Sequence, residues 1–399
     1  MSYTYRSSAK RTNTNYSYST NKRRGQRGQS NKKYIDPNLF VKAATIAESV
    51  EYVPVNTFSD FSLDSRLHAN LTGKGYVKPS PIQDQAIPFA LEGRDIIGVA
   101  STGTGKTAAF ALPILQALLS DKNAKAIIIA PTRELAQQIE EECRALGRGT
   151  GLRGALLIGG TNMMGQLRDL RQKPNIVIGT PGRIKDHLER RSLILQDFNI
   201  VVLDEVDRML DMGFVKDVTE ILTAVNPSRQ SMFFSATIDA KVQTLISTFS
   251  NQPHTVSLTA SSASENVHQD VVKYAGNHDK LEKLHTLLID DQVTKVIVFD
   301  ETQRSVERLG NELLARGFSA DSIHGGKSQG QRKRALSRFK NNETKVLVAT
   351  DVAARGIDVA DITHVINYSV PNSYDDYVHR VGRAGRAGRV GYALTFINS

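Results

Sequence analysis

The chain has 399 residues, 40% of them hydrophobic and 23% charged, and carries a formal charge of +10. A single cysteine, Cys143, excludes a disulfide framework, zinc held by several thiolates and a four-cysteine iron–sulfur cluster. No stretch approaches the ~18 apolar residues of a membrane span, and no apolar leader follows the first residues, so the sequence predicts a soluble cytoplasmic protein with no membrane partner.

The positive charge is concentrated at one end. Residues 1–35 hold nine Lys/Arg and no Asp or Glu, which leaves 42 basic against 41 acidic residues elsewhere. The same stretch holds five of the 12 tyrosines among Ser, Thr, Asn, Gly and Gln. With almost no aliphatic side chains to offset ordering entropy, it predicts a disordered basic tail. Cations interleaved with stackable rings suit a polyanion with exposed bases. A purely solubilising arm is the alternative. A mitochondrial transit peptide would need more apolar residues for an amphipathic helix.

From residue 94 onward one rhythm repeats: a short aliphatic run, a polar turn, a helical stretch. Runs at 95–99, 126–130, 154–158, 175–179, 200–203 and 231–234 are mostly apolar and do not alternate, as expected for parallel strands covered on both faces. A helix is predicted over 133–146, stopped by Gly147. Residues 257–266, SLTASSASEN, read as a linker. The rhythm restarts at 296–299, 319–323, 345–349, 364–367 and 391–396. The fold class is therefore α/β, with two doubly wound parallel-sheet domains in tandem at 55–256 and 267–399.

Chemistry is signalled first by Ala100-Ser101-Thr102-Gly103-Thr104-Gly105-Lys106-Thr107, between a strand and a helix. The glycines let the backbone curl so that its N–H groups meet phosphate oxygens, and the helix N-terminus adds its dipole. Lys106 can reach the β- and γ-phosphates, and the Thr107 hydroxyl can ligate Mg²⁺. Ala100 replaces the usual first glycine. About a hundred residues on, Asp204 and Glu205 follow an apolar strand. In a nucleotide hydrolase the first would hold Mg²⁺ and the second would polarise the attacking water. Acidic residues at a strand end are otherwise commonplace. Ser235-Ala236-Thr237 places two hydroxyls after the next strand, where an ordinary turn is the plain alternative. The run from His379 to Arg389 alternates guanidinium groups with glycines. Such groups can stabilise phosphoryl charge across an interface, or form a patch that touches only a nucleic-acid backbone.

Taken together these residues resemble the DEAD-box RNA helicases over about residues 55–397. Phe58 and the run Gly75 to Gln83 are similar to that family's adenine-recognising segment. The resemblance implies that Tyr76 stacks on the base, Lys78 supports it and Gln83 hydrogen-bonds its edge. It implies RNA contacts from Arg133, Gly160, Thr180 and Arg183 in the first domain, and from Arg334 and Thr350 in the second, with Phe299, Thr302 and Gln331 in matching segments. Asp358 corresponds to the residue that meets the ATP ribose, and Arg383 and Arg386 to two arginine fingers. Asp207 is implied to couple to Ser235 and Thr237. The name-giving alanine is here Val206, so the motif reads DEVD, with added bulk beside that coupling.

What the resemblance implies is two RecA-like domains that bind ATP and Mg²⁺, close on RNA and couple hydrolysis to local duplex unwinding. RNA would be held largely through its backbone by a monomeric core, without the C-terminal RNA-specificity domain that some relatives append. An ATP-gated RNA clamp is the main alternative, and a DNA helicase on the same domains a further one. His324 and His379 read as structural, and Cys143 as an unreactive thiol.

Overall fold

Ala126 and Ile128 point into one apolar cluster and Ile127 and Ile129 into another, and all four are buried. A strand covered on both faces must lie inside a sheet flanked by helices on either side. A computed structural model shows that arrangement twice. It describes residues 36–44, 52–101, 103–258, 266–354, 359, 361–385 and 389–399. The basic stretch 1–35, most of the expected linker, Thr102, Asp358 and Arg386 lie outside the described residues.

The first lobe contains β1 (Ile96–Val99), β2 (Ala126–Ile129), β3 (Gly154–Leu157), β4 (Ile176–Gly179), β5 (Ile200–Asp204), β6 (Gln230–Ser235) and β7 (His254–Ser257). Their order is β3-β4-β2-β5-β6-β1-β7, and every pairing is parallel. The second lobe contains β8 (Val267–Tyr274), β9 (Val296–Phe299), β10 (Ala320–Ile323), β11 (Val346–Ala349), β12 (His364–Asn367) and β13 (Gly391–Asn398). Their order is β10-β11-β9-β12-β13-β8, again all parallel. The same division of faces recurs there, with Ile297 and Leu347 on one side and Val296 and Val346 on the other.

Two strands depart from the sequence reading. β7 runs through Ser257, the residue taken as the start of the linker, and pairs it with Val99. β8 is eight residues long and lies in a stretch where no strand was expected. Both are outermost in their sheets, so each carries polar residues, HTVS and VHQDVVKY, and neither forms a continuous apolar run. The helix Arg133–Leu146 spans the residues read from the sequence. Thr132 caps it through a 3.3 Å bond from the Leu135 N–H, and Gly147 ends it.

Candidate functional site

In a parallel sheet all strand C-terminal ends open on one edge, where ligands gather. The order of the first sheet therefore sorts the candidate residues in space. On the β5-β6-β1 side lie Asp204 to Asp207, Ser235 to Thr237 and the glycine loop after β1. On the β3-β4-β2 side lie Gly160, Thr180 with Arg183, and Arg133.

The loop after β1 opens a cleft of about 410 Å³. Gly103 and Gly105 have φ of 85° and 91°, in the left-handed region that favours glycine. Lys106 begins the helix Lys106–Ser120, is buried, and donates from Nζ to the Ala100 carbonyl at 2.8 Å. Thr104 Oγ1 donates to the Ser101 carbonyl at 2.9 Å. Thr107 and Tyr76 line the cleft. Tyr76 meets Phe58 edge to face at 5.8 Å and donates its hydroxyl to Glu142 at 2.9 Å, while Lys78 is exposed.

Gln83 is tied to the glycine loop. It is 3% exposed, donates from Nε2 to the Gly105 carbonyl at 3.0 Å, and accepts from the Ser80 N–H at 2.9 Å. One amide N–H and one oxygen lone pair are thus engaged by the glycine loop and by its own helix N-terminus, so the side chain holds the loop's backbone and keeps a second N–H and lone pair. Ser80 assists by donating to the Thr104 carbonyl at 2.7 Å.

Asp204 and Glu205 reach the same cleft from the end of β5. Burial pushes the Asp204 carboxyl up to about 6, with Lys106 opposing the shift and Glu205 adding to it. Glu205 sits at φ 55°, a left-handed conformation uncommon outside glycine, and its Oε2 accepts from Arg208 Nη1 at 2.7 Å. Both side chains of that pair are about 5% exposed. Among the described residues no group of three His, Cys, Asp or Glu could cage a metal. One hydroxyl and one carboxylate instead fit a Mg²⁺ that takes its remaining ligands from water and phosphate.

Asp207 joins the two strand ends. Its Oδ2 accepts from the backbone N–H groups of Ala236 and Thr237 at 3.0 and 2.9 Å and from Thr237 Oγ1 at 3.1 Å, and its own N–H donates to Ser235 Oγ at 3.2 Å. Val206 points the other way, fully buried in an apolar cluster with Leu203, Met209 and Phe233. Its side chain is taken up by the core.

The other side of the edge forms a contiguous patch. Arg133 packs its guanidinium on Gly159 and Gly160, and a Cβ on Gly160 would fall 2.2 Å from Arg133 Nη1. Arg183 reaches the Thr161 carbonyl at 3.5 Å and Asp186 at 3.3 Å, and Thr180 caps its helix. In the second lobe Thr350 directly follows β11, and its carbonyl accepts from the N–H groups of Ala353 and Ala354.

Arg383, 3% exposed, lines the nucleotide-side cleft from the second lobe together with Lys340. Arg380 serves that lobe internally, gripping Asp351 with two bonds of 2.6 and 2.7 Å. A second contact joins the lobes through residues that the sequence reading did not single out. Gln331 only closes the N-terminal capping box of the helix Gln329–Lys340, and Arg334 is exposed. Gln329 and Arg332 make the crossing: Gln329 donates to Gln137 at 3.0 Å, and Arg332 pairs with Glu134 at 2.8 Å. His324 sits nearby between Glu307 and the Gly326 N–H, as a structural group would. Cys143 is buried, and burial with Glu142 and Glu140 pushes its thiol well up.

A two-lobed α/β chain with a phosphate loop, a carboxylate pair and an arginine facing them from the other lobe defines a class of nucleotide-dependent motor. Residues 80–245 match the DEAD/DEAH box helicase family, and residues 279–388 the helicase conserved C-terminal domain. The chain belongs to the DEAD/DEAH box helicase family. It is 43% identical to the ATP-dependent RNA helicase CshA of Limosilactobacillus reuteri over 342 residues, covering 85% of this chain and 69% of that protein. Identity to CshA of Bacillus subtilis is 42%, over 86% of this chain and 69% of the relative. Among solved structures it is similar to Mss116p bound to ssRNA and AMP-PNP, with TM-score 0.78 and 31% identity over 90% of this chain and 77% of that one. S. cerevisiae Dbp5 bound to RNA and ADP BeF3 gives TM-score 0.75 at 29% identity, over 86% of this chain and 90% of that one.

Proposed function

We infer that the chain is an ATP-dependent RNA helicase that couples hydrolysis to local remodelling of RNA duplexes. The observation that carries this reading is the shared cleft, in which Lys106, Asp204 and Glu205 of one lobe face Arg383 of the other. In the proposed cycle Ser101, Thr102, Gly103, Thr104 and Gly105 cradle the phosphates through their backbone, with Lys106 neutralising charge. Thr107 and Asp204 would hold Mg²⁺, which supplies charge neutralisation at the phosphates. Glu205 accepts a proton from the attacking water, and Arg383, with Arg386, meets the charge that develops on the transferred phosphoryl group. Phe58, Tyr76 and Lys78 frame the adenine and Asp358 the ribose. Gln83, which also holds the loop, hydrogen-bonds the edge of the base with its remaining amide valences.

RNA lies on Arg133, Gly160, Thr180 and Arg183 in the first lobe and on Arg334 and Thr350 in the second, held through phosphate and sugar with little sequence readout. Asp207, through Ser235 and Thr237, relates the state of the carboxylates to that surface. Among the described residues no helix is long and apolar enough to cross a membrane, and we place the protein in the cytoplasm as a monomeric core. The test is displacement of one strand from a short RNA duplex. ATP should support it and a non-hydrolysable analogue should not sustain turnover. Strand release with no nucleotide requirement would contradict the reading.

A further inference from the structure

Residues 36–44 precede the first lobe in sequence but pack on the second. Asp36 caps a short 3-10 turn, Pro37–Phe40, by accepting from the Asn38 N–H at 2.9 Å. The turn delivers Phe40 into the second lobe's core, 1% exposed, with its ring 4.7 Å from that of Tyr377. Two residues on, Lys42 pairs antiparallel with Gln269: Lys42 N–H donates to the Gln269 carbonyl at 2.9 Å, and Gln269 N–H returns a bond of 2.8 Å. Gln269 belongs to β8, the outermost strand, so this bridge covers an otherwise open sheet edge. Tyr377 donates its hydroxyl to Gln269 Oε1 at 2.8 Å, tying the aromatic seat to the paired strand.

The chain then re-anchors on the first lobe. Asp84 accepts from the Tyr52 hydroxyl at 2.6 Å, from the N–H groups of Val55 and Asn56 at 2.8 and 2.9 Å, and from Asn56 Nδ2 at 2.8 Å. Asp84 is buried beside Gln83, on the helix Pro81–Leu91 whose N-terminal turn holds the phosphate loop. Seven residues, 45–51, join the two anchors. Eight residue steps reach at most about 27 Å, which limits how far the lobes can part while both ends stay docked.

We propose that the β8 edge and the Tyr377 seat form a docking surface for this chain's own segment 36–44, which straps the second lobe to the first. It is a second tether besides the inter-lobe connection after β7. By raising the effective concentration of one lobe at the other, it reduces the ligand binding energy needed to close them. The proposal rests on the ATPase reading above, because closure is measured through RNA-stimulated hydrolysis.

The experiment compares three full-length proteins: unaltered, Phe40→Ala, and one with a flexible 30-residue Gly/Ser insertion within 45–51. The insertion leaves both anchors intact and lengthens the tether from 8 to 38 steps, which lowers effective concentration by about tenfold on the −3/2 power of length. Both altered proteins should need several-fold more RNA for half-maximal ATPase, with kcat at saturating RNA unchanged. That unchanged kcat also shows that each protein is folded. An effect from Phe40→Ala with none from the insertion would overturn the strap, leaving Phe40 as a packing residue. No effect from either, or a lowered RNA requirement, would overturn it too. Absence of RNA-stimulated hydrolysis in the unaltered chain would instead overturn the functional reading itself.

Discussion

Arg332 and Glu134 form a 2.8 Å ion pair between the two lobes, and both are almost wholly buried. A buried pair adds little over an apolar contact, but removing one partner strands the other charge at a cost of about 3–5 kcal/mol. Arg332→Ala should therefore lower RNA-stimulated kcat/KM steeply, because the penalty falls on the closed arrangement. Glu134→Gln together with Arg332→Ala should be less damaging than the sum of the single changes. A double-mutant cycle on ATPase checks this, and additive losses would show that the pair is not coupled.

Asp207 Oδ2 accepts from three donors of the 236–237 segment. Asp207→Asn keeps the shape but weakens that acceptor, and hydrogen bonds to a charged group contribute about 1.5–3 kcal/mol. Strand separation per ATP hydrolysed should fall more than hydrolysis itself. Measuring both rates on one preparation decides it. An equal loss in each would mean that the segment acts only on chemistry.

Gly105 has φ 91°, and an added Cβ would lie 2.5 Å from Gln83 Nε2. Gly105→Ala combines about 1–2 kcal/mol of backbone strain with displacement of the side chain that holds the loop, so ATP affinity should drop about tenfold. Gly165→Ala is the matched control, since nothing lies within 4 Å of its Cβ position and it sits in a helix. Equilibrium titration with a fluorescent ATP analogue reads both.

His364 carries a pH dependence of stability. Burial pushes its imidazole down to about 4, and its ring stacks 4.9 Å from Tyr392. Above the unfolded value of about 6.5 both states are neutral there and its contribution is complete. As pH falls toward 4 the unfolded chain gains a proton that the folded chain does not, so stability declines, by about 2 kcal/mol between pH 7 and 5. Urea unfolding at the two pH values should show this loss, and His364→Gln should reduce it.

The phosphate loop, the carboxylate pair and the apolar strands were legible because each is dictated locally, by backbone shape or by burial on both faces. The inter-lobe register was not. The helix sequence Gln329-Gly-Gln-Arg-Lys-Arg334 offers two Gln/Arg pairs at the same spacing, and only packing against Glu134 and Gln137 selects Gln329 with Arg332. Phe40 carried no periodic signal, since one aromatic in a short polar segment acquires meaning only from the seat at Tyr377. The engagement of Gln83 with Gly105 likewise depends on how the helix Pro81–Leu91 docks.

The central claim is that the two lobes form one RNA-gated ATPase with Glu205 as its base. Steady-state ATP hydrolysis tests it most directly, measured with RNA, with DNA of matched length and without nucleic acid, alongside Glu205→Gln. RNA should raise the rate of the unaltered chain well above both the DNA and the bare rates, and Glu205→Gln should cut the RNA-stimulated rate by ~10²-fold or more. A rate indifferent to RNA, or near-normal turnover by Glu205→Gln, would contradict the account.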